Sequence, residues 1–189
     1  MAMEIVLASA SPRRRELMEL MGLSFTVDAS DADESVPAGT APEEMVRILA
    51  MRKAQAVKGK HPGSCVVGSD TVVCLDGQVL GKPRDDEQAA EYLRMLSGRT
   101  HTVYTGIALV TDGFCDARTD ATLVTFAPLT AEEISAYVST GDSRDKAGAY
   151  GIQGPFCKHV TSISGSYHTV IGLPVHLLYQ MLCRHGILQ

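Results

Sequence analysis

Hydrophobic and polar residues recur along the chain with two periods, which predict strands and helices in turn. Alternation at every second position favours strands, and apolar positions three and four apart favour helices. The predicted strands cover residues 4–9, 24–27, 65–68, 72–75, 78–80, 102–110, 117–126 and 167–171, with a further strand near Val160. The predicted helices cover residues 12–21, 40–57, 85–96 and 130–141, and a last helix begins at Pro174.

Local signals mark the ends of several of these elements. Ser11-Pro12 suits the start of the first helix, and Thr40-Ala41-Pro42-Glu43 and Thr130-Ala131-Glu132-Glu133 match capping boxes. Asp76-Gly77 is typical of a tight hairpin turn. Strands that alternate with helices and hairpins predict a mixed α/β fold. We find no repeat and no long polar linker, so we expect one domain over residues 1–189, with two lobes left open as its internal organisation.

Charge and aromatic content narrow the classes of partner. The 189 residues include 17 basic and 22 acidic side chains, a formal net charge of −5. A protein that coats nucleic acid carries a net basic surface, so this balance predicts no nucleic-acid partner. With six Tyr, four Phe and no Trp, a long stacking platform for single strands is not expected either.

The cysteines and apolar runs bear on the compartment. The five cysteines are odd in number and contain no CxxC pair, which predicts reduced, partly buried thiols in a cytoplasmic protein. No apolar stretch approaches the ~20 residues that span a bilayer, so we expect no membrane partner. The six histidines lack HxH and HExxH spacing, and a zinc site is therefore not expected.

Three arginines occupy a place that normally disfavours cations. Arg13, Arg14 and Arg15 fall in the first turn of a predicted helix, where the helix dipole is positive. The preceding loop of small residues, 9–11, and the free N–H groups of a helix start form a good seat for an anion such as phosphate. We therefore interpret Arg13 and Arg14 as phosphate ligands, and leave open whether Arg15 joins them or faces solvent.

Further polar positions each permit two interpretations. Asp70 ends a hydrophobic strand, where it either reaches a ligand crevice or caps a turn. Lys53 and Lys82 are either ligands or solvated surface cations. The acidic loop at residues 31–34 is either solvated or, together with Asp70, a magnesium site. Gln153, in a glycine-rich segment, is either a reader of a base edge or part of an ordinary turn.

Taken in order along the chain, a set of short motifs carries a resemblance. The motifs are Leu7-Ala8-Ser9-Ala10-Ser11-Pro12-Arg13-Arg14, Gly68-Ser69-Asp70-Thr71, Gly81-Lys82-Pro83, Leu96-Ser97-Gly98, Asp145-Lys146-Ala147-Gly148-Ala149-Tyr150-Gly151-Ile152-Gln153-Gly154, Gly165-Ser166-Tyr167 and Val170-Ile171-Gly172-Leu173-Pro174. They closely resemble the Maf family of nucleoside triphosphate pyrophosphatases over almost the whole chain. The resemblance implies an α/β fold with a mixed sheet and flanking helices, two lobes around a cleft, akin to inosine triphosphate pyrophosphatases. It also implies a homodimer that cleaves a nucleoside triphosphate to its monophosphate and pyrophosphate with a divalent metal, Mg²⁺ or Mn²⁺.

The resemblance assigns roles to individual residues. Asp70 would accept the proton of the attacking water and, with Glu34, hold the metal. The triphosphate ligands would be Ser9, Arg14, Lys53 and Lys82. Arg13, Thr71 and Gln153 match the pattern of the subgroup that acts on dTTP and UTP. The sister subgroup, which acts on 7-methylguanosine triphosphate, has Trp, Gln and Glu at those three places.

One departure and two competing functions accompany this interpretation. The family often has a further glycine soon after Gln153-Gly154, whereas this chain has Pro155-Phe156-Cys157, which leaves the shape of that loop open. A nucleotide-binding regulator of septum formation without required turnover is one alternative function. An aspartyl-phosphate phosphatase that uses Asp31-Ala32-Asp33 is another, although no hydrophobic strand runs directly into that motif.

Overall fold

The computed structural model describes residues 3–188, in which strands and helices alternate along most of the chain. The strands are β1 (Ile5–Leu7), β2 (Phe25–Val27), β3 (Cys65–Leu75), β4 (Gln78–Leu80), β5 (Thr100–Val110), β6 (Cys115–Phe126) and β7 (Val160–Ser164). The α-helices are α1 (Pro12–Leu20), α2 (Pro42–Lys58), α3 (Asp86–Leu96), α4 (Ala131–Ser139), α5 (Tyr167–Ile171) and α6 (Val175–Arg184). Two short 3₁₀ segments, Ala147–Ala149 and Pro155–His159, lie between α4 and β7.

The strands form one mixed sheet of seven strands. Six of them follow the order β2-β1-β3-β5-β6-β7, and β4 pairs with β3. β1 is parallel to both β2 and β3, whereas β4 is antiparallel to β3 and β7 is antiparallel to β6. Parallel neighbours need a crossover connection and antiparallel neighbours need only a hairpin, which is why helices separate β1, β2 and β3. The predicted mixed α/β fold is confirmed.

The chain divides into two compact units. The first contains the chain up to Asp70, Thr105–Asp120 and the chain from Gly172 onwards; the second contains Thr71–Tyr104 and Ala121–Ile171. The two lobes around a cleft that the resemblance implies stay a prediction. The extent of the domain, residues 1–189, stays a prediction.

The core of the first unit is built by close packing of α2 on the sheet. A Cβ atom added to Gly68 would lie 2.1 Å from the carbonyl oxygen of Ala50, and one added to Gly106 would lie 2.1 Å from that of Val46. Both distances are far below van der Waals contact, so only glycine at these strand positions lets α2 approach so closely. The small residues Ala50 and Ala54 on α2 are fully buried at this contact. The approach fixes the height of α2 over β3, and with it the position of Lys53.

The core of the second unit contains an aromatic cluster. The Phe126 ring lies 4.7 Å from Tyr150 and 4.8 Å from Phe156, centroid to centroid. His101 is also buried here, and its Nε2 lies 2.8 Å from the Tyr150 hydroxyl. Burial lowers the pKa of His101 to about 4, so this imidazole is neutral at physiological pH. The cluster anchors both sides of the loop that carries Gln153.

Local signals of the turns and caps are largely confirmed. Asp76 and Gly77 have φ values of 50° and 81°, as a tight hairpin of this sequence requires. Thr130 and Glu133 form both hydrogen bonds of a capping box at α4. Ser11 occupies the N-cap position of α1, although its side chain makes no capping hydrogen bond.

Three predictions about local structure are wrong. The helix start at residues 40–43 is not a capping box: Ala41 is the N-cap of α2, because Pro42 fits the first helical position, and the Thr40 hydroxyl donates to the Pro37 carbonyl. Residues 167–171 form helix α5 and not a strand, although they include β-branched residues. Tertiary burial of Thr169 and Ile171 outweighs a strand propensity that is weak over five residues.

The third error concerns Asp70, which we expected at the end of a strand. β3 continues through Asp70 and Thr71 to Leu75 as one strand of 11 residues. The polar side chains interrupt the hydrophobic pattern but not the strand, because tertiary partners satisfy them. The Ser69 hydroxyl, for example, lies 2.9 Å from the carbonyl oxygens of both Gly106 and Gly172.

Two further features concern the compartment. All five cysteines are free; Cys65 and Cys74 are buried, Cys183 is partly buried, and Cys115 and Cys157 are exposed. Burial raises the pKa of Cys65 to about 12. Across residues 3–188 no helix combines the length and the apolar character needed to cross a membrane.

Candidate active site

The start of α1 forms a polar seat around Ser9. The Ser9 side chain is buried, and its Oγ accepts hydrogen bonds from the Arg14 Nη1 at 3.1 Å and from the Ser11 backbone N–H at 3.2 Å. A serine hydroxyl has two acceptor sites and one donor hydrogen. With both acceptor sites used, the Ser9 hydroxyl hydrogen is left for donation to a further acceptor.

Arg14 is held rigidly beside this seat. Its Nε donates to the Gly172 carbonyl at 2.8 Å, the same oxygen that Ser69 contacts. Burial lowers the pKa of Arg14, and the nearby charge of Asp70 raises it. A guanidinium stays protonated in proteins, so Arg14 is a fixed positive charge near Asp70.

The other two arginines of the motif differ from Arg14. Arg13 is partly buried in the same helical turn. Arg15 is exposed, and its Nε lies 2.9 Å from Glu19 Oε1 one turn along α1. Of the two interpretations left open for Arg15, the structure supports the one in which it faces solvent. Its ion pair with Glu19 lies on the surface, and such pairs contribute little to the free energy of unfolding.

Lys53, Asp70 and Glu34 form an ionic triad in the first unit. Lys53 Nζ lies 2.6 Å from Asp70 Oδ1 and 2.7 Å from Glu34 Oε1. The Lys53 and Asp70 side chains are 14% and 13% exposed, whereas Glu34 is 66% exposed. Lys53 and Asp70 thus form a shielded ion pair that still reaches solvent. The exposed Glu34 of the acidic loop contacts the same lysine.

The positions of Glu34 and Asp70 in this triad are relevant to the divalent metal that the resemblance implies. Within residues 3–188 no three His, Cys, Asp or Glu side chains are grouped as a metal cluster. Glu34 and Asp70 nevertheless converge on one cationic atom, Lys53 Nζ, which shows that both carboxylates reach the same point. Mg²⁺ is commonly bound by one or two carboxylates together with water and substrate phosphates. Two convergent carboxylates therefore fit such an ion.

The remaining predicted residues belong to the second unit. Thr71 directly follows Asp70 in β3 and is partly buried. Lys82 is exposed, and it forms no ion pair with any of residues 3–188. The Gly148 N–H donates to the Gly81 carbonyl at 3.1 Å, which ties the segment of Lys82 to the glycine-rich segment. Gln153 is exposed in that segment.

The loop after Gln153 accommodates its departure from the family pattern. Pro155 occupies a first-turn position of the 3₁₀ segment Pro155–His159, where its missing N–H costs nothing. Phe156 is fully buried and packs 4.8 Å from Tyr137, centroid to centroid. The proline and phenylalanine therefore anchor the loop in the aromatic core.

Sequence reasoning missed a set of residues that support this loop. Tyr137 and Asp142 are joined by a 2.6 Å hydrogen bond, and Lys146 Nζ lies 2.9 Å from Asp142 Oδ1. The glycines at 151 and 154 were a signal that something approaches the backbone closely. Their partners lie at separations in sequence that no local period connects.

The alternative motif Asp31-Ala32-Asp33 lies outside any strand. β2 ends at Val27, and the Asp33 carboxylate accepts hydrogen bonds from the N–H and hydroxyl of Ser35. An aspartyl-phosphate enzyme would need the nucleophile at the end of a buried strand, and Asp31 is instead exposed in a loop.

The fold and these side chains define an α/β protein with a serine and a guanidinium at a helix start and, near that guanidinium, a carboxylate paired to a lysine. Such a combination suits chemistry on phosphate anhydrides.

The chain belongs to the Maf-like protein family, whose model matches residues 4–185. A dTTP/UTP pyrophosphatase of Symbiobacterium thermophilum is 48% identical over 97% of this chain and 94% of its own length. One of Koribacter versatilis is 45% identical over 100% of this chain and 97% of its own. These relatives confirm the predicted family.

A solved structure, that of the Staphylococcus aureus Ham1 protein, is similar in fold. It superposes with a TM-score of 0.57 at 14% identity and covers 96% of this chain and 99% of that one. At this identity the likeness concerns the fold alone, and it agrees with the predicted class.

Proposed function

We propose that this protein hydrolyses dTTP and UTP to the nucleoside monophosphate and pyrophosphate. The observation that carries the proposal is the shielded pair of Asp70 and Lys53, 2.6 Å apart, in the same unit as the anion seat of Ser9 and Arg14. The names of the curated relatives, dTTP/UTP pyrophosphatase at 44–48% identity, support the same activity.

The chemistry follows from what each group can do. Water adds across the anhydride between the α and β phosphates, and one proton of that water passes to the Asp70 carboxylate. Ser9 donates its hydroxyl hydrogen to a phosphate oxygen, and Arg14 neutralises the charge that develops during transfer. Lys53 balances the charge of Asp70 and, with Lys82, is assigned to the triphosphate.

A divalent ion completes the proposed site. Glu34 and Asp70 would hold it. When bound, Mg²⁺ or Mn²⁺ supplies charge neutralisation at the phosphate oxygens and acidifies coordinated water. We propose Mg²⁺ or Mn²⁺ as this ion.

Removal of the metal tests this part directly. We expect chelation with EDTA to abolish hydrolysis and added Mg²⁺ or Mn²⁺ to restore it. The carboxylates of Asp70 and Glu34 add negative charge to that of the triphosphate, and the cations assigned to it, Arg14, Lys53 and Lys82, do not balance both. Release of pyrophosphate, measured before and after chelation, checks the expectation. Full activity in EDTA would refute the metal assignment and leave the assignment of Asp70 to be tested by mutation.

Base selection is assigned to Arg13, Thr71 and Gln153. These residue types provide a guanidinium, a hydroxyl and an amide, which suit hydrogen bonding to a pyrimidine edge. We expect a panel of nucleoside triphosphates to show dTTP and UTP as the best substrates, with pyrophosphate and not orthophosphate as the second product. Higher kcat/KM for guanine nucleotides would refute the subgroup, and release of orthophosphate would refute the bond cleaved.

We further propose that the protein acts on free nucleotides in the cytoplasm as a homodimer. Five free cysteines and a net charge of −5 support a reducing compartment and a substrate other than nucleic acid. Light scattering at micromolar concentration tests the dimer, since a monomer mass at all concentrations would refute it.

A further inference from the structure

The loop that carries Gln153 rests on side chains to which the resemblance assigns no role. It lies in the second unit between Gly151 and Gly154. The Gly151 N–H donates to the Tyr137 hydroxyl at 3.1 Å, and this hydroxyl donates to Asp142 Oδ2 at 2.6 Å. Gly151 is thereby linked through Tyr137 to a carboxylate.

Lys146 closes the network from the other side. Its Nζ donates to Asp142 Oδ1 at 2.9 Å and to the Asp142 backbone carbonyl at 2.5 Å. Both Asp142 oxygens are therefore engaged, one by Tyr137 and one by Lys146. The Asp142 side chain cannot rotate without loss of a hydrogen bond to one of them.

Two glycines on either side of Gln153, Gly151 and Gly154, lie close to the side chains of Lys146 and Asp142. A Cβ atom at Gly151 would lie 2.6 Å from Lys146 Cε, and a Cβ atom at Gly154 would lie 3.0 Å from Asp142 Oδ2. A side chain at either position would require Lys146 or Asp142 to shift. Asp142 and Lys146 thus lie directly against the backbone on either side of Gln153.

The protonation states of Tyr137 and Asp142 fix which group donates and which accepts each hydrogen bond in this network. Burial and the bond to Asp142 raise the pKa of Tyr137 well above its usual value, so its hydroxyl remains a donor. Burial raises the pKa of Asp142, but hydrogen bonds from Tyr137 and Lys146 outweigh it and leave that pKa below its usual value. Near neutral pH the Tyr137 hydroxyl therefore always donates to Asp142 and accepts from Gly151.

We propose that Tyr137 and Asp142 are positioning residues for Gln153, and that through it they set the preference of the site for uracil and thymine bases. The inference rests on the proposed function, because it takes the role of Gln153 from there. Neither residue is among those assigned to the substrate. Each fixes the backbone from which the Gln153 amide is presented, and a recognition group misplaced by a fraction of an ångström loses much of its selectivity.

The test is a double-mutant cycle between Tyr137→Phe and Gln153→Ala. Tyr137→Phe keeps the ring in the aromatic core and removes only the hydroxyl. We expect it to raise the Kd of a non-hydrolysable UTP analogue and the KM for UTP about 10-fold, with kcat and the Kd of a GTP analogue within about 2-fold. In a Gln153→Ala background, Tyr137→Phe should add little, because both changes remove one function.

A second variant and a matched control keep the result interpretable. Asp142→Asn removes the charge at nearly constant shape and should reproduce the loss of preference. Tyr92→Phe is the control: Tyr92 lies on α3 in the same unit and makes no side-chain hydrogen bond within residues 3–188. It should leave every constant unchanged. Thermal unfolding of each variant monitors the fold.

The outcomes separate the inference from the proposed function. Equal losses for the UTP and GTP analogues in Tyr137→Phe, or effects that add fully to those of Gln153→Ala, would overturn the inference. A wild-type protein that hydrolyses neither dTTP nor UTP would overturn the proposed activity. The two Kd values still decide the inference in that case, because they need no turnover; failure to distinguish the analogues overturns it.

Discussion

Asp70→Asn is expected to lower kcat for dTTP and UTP about 10²–10⁴-fold while nucleotide affinity stays within a few-fold of wild type. The substitution keeps the shape of the side chain but removes its ability to accept a proton. The hydrogen bond from Lys53, 2.6 Å long in the wild type, can still be made to the amide oxygen. Binding groups such as Ser9 and Arg14 are unaltered. Quenched-flow assay of pyrophosphate and calorimetry with a UTP analogue measure the two quantities.

A control for this prediction already lies in the chain. Asp31→Asn changes a carboxylate of the exposed acidic loop and should leave kcat unchanged. Loss of turnover in Asp31→Asn, with phosphate transferred to the wild-type protein, would instead support the aspartyl-phosphate alternative. Turnover retained in Asp70→Asn would show that another group accepts the proton.

The same variant bears on the regulatory alternative. If Asp70→Asn binds nucleotide but does not hydrolyse it, cells that carry it separate binding from turnover. A regulator without required turnover would function normally with this variant. Loss of function in such cells would count against binding alone as a complete account.

Gly68→Ala is expected to destabilise the protein and to reduce its activity together. The new Cβ would lie 2.1 Å from the Ala50 carbonyl oxygen and 2.9 Å from the Ala54 N–H nitrogen, both backbone atoms of α2. Backbone cannot rotate away as a side chain does, so the whole helix must shift. Overpacking of this kind costs about 1–3 kcal/mol and occasionally more. The shift also moves Lys53 relative to Asp70, and we expect kcat/KM to fall about 10-fold or more.

Gly59→Ala provides the comparison. Gly59 follows α2 directly, and a Cβ added there meets nothing within 4 Å. Its free energy of unfolding in urea should equal that of wild type or rise by a few tenths of a kcal/mol, because alanine reduces the entropy of the unfolded chain. Equal behaviour of the two variants would show that the close approach of α2 is not required.

Several elements were predictable because their signals are local. The hairpin at Asp76-Gly77 needs two positive φ angles, which this dipeptide tolerates. The capping box of Thr130 and Glu133 is closed by residues three apart. Pro12 fits only the first turn of a helix. Each signal acts over a few residues, and each was confirmed.

Two of the three errors share a cause of the opposite kind. Asp70 interrupts a hydrophobic pattern and was therefore placed at a strand end, but its partner Lys53 lies 17 residues away and satisfies it within the strand. Residues 167–171 carry β-branched side chains, yet they form α5. In each case a tertiary contact outweighs a local preference.

The sequence by itself determined the family of this protein, its mixed α/β class and the candidates for its site, because motif spacing and hydrophobic period are written along the chain. Only the tertiary structure decided that Lys53 reaches both Asp70 and Glu34, and that Tyr137 links the Gly151 N–H to Asp142. These contacts depend on how closely α2 packs on Gly68 and how closely Gly151 and Gly154 pack on their neighbours. Such distances arise from steric fit between elements remote in sequence, and no local pattern encodes them.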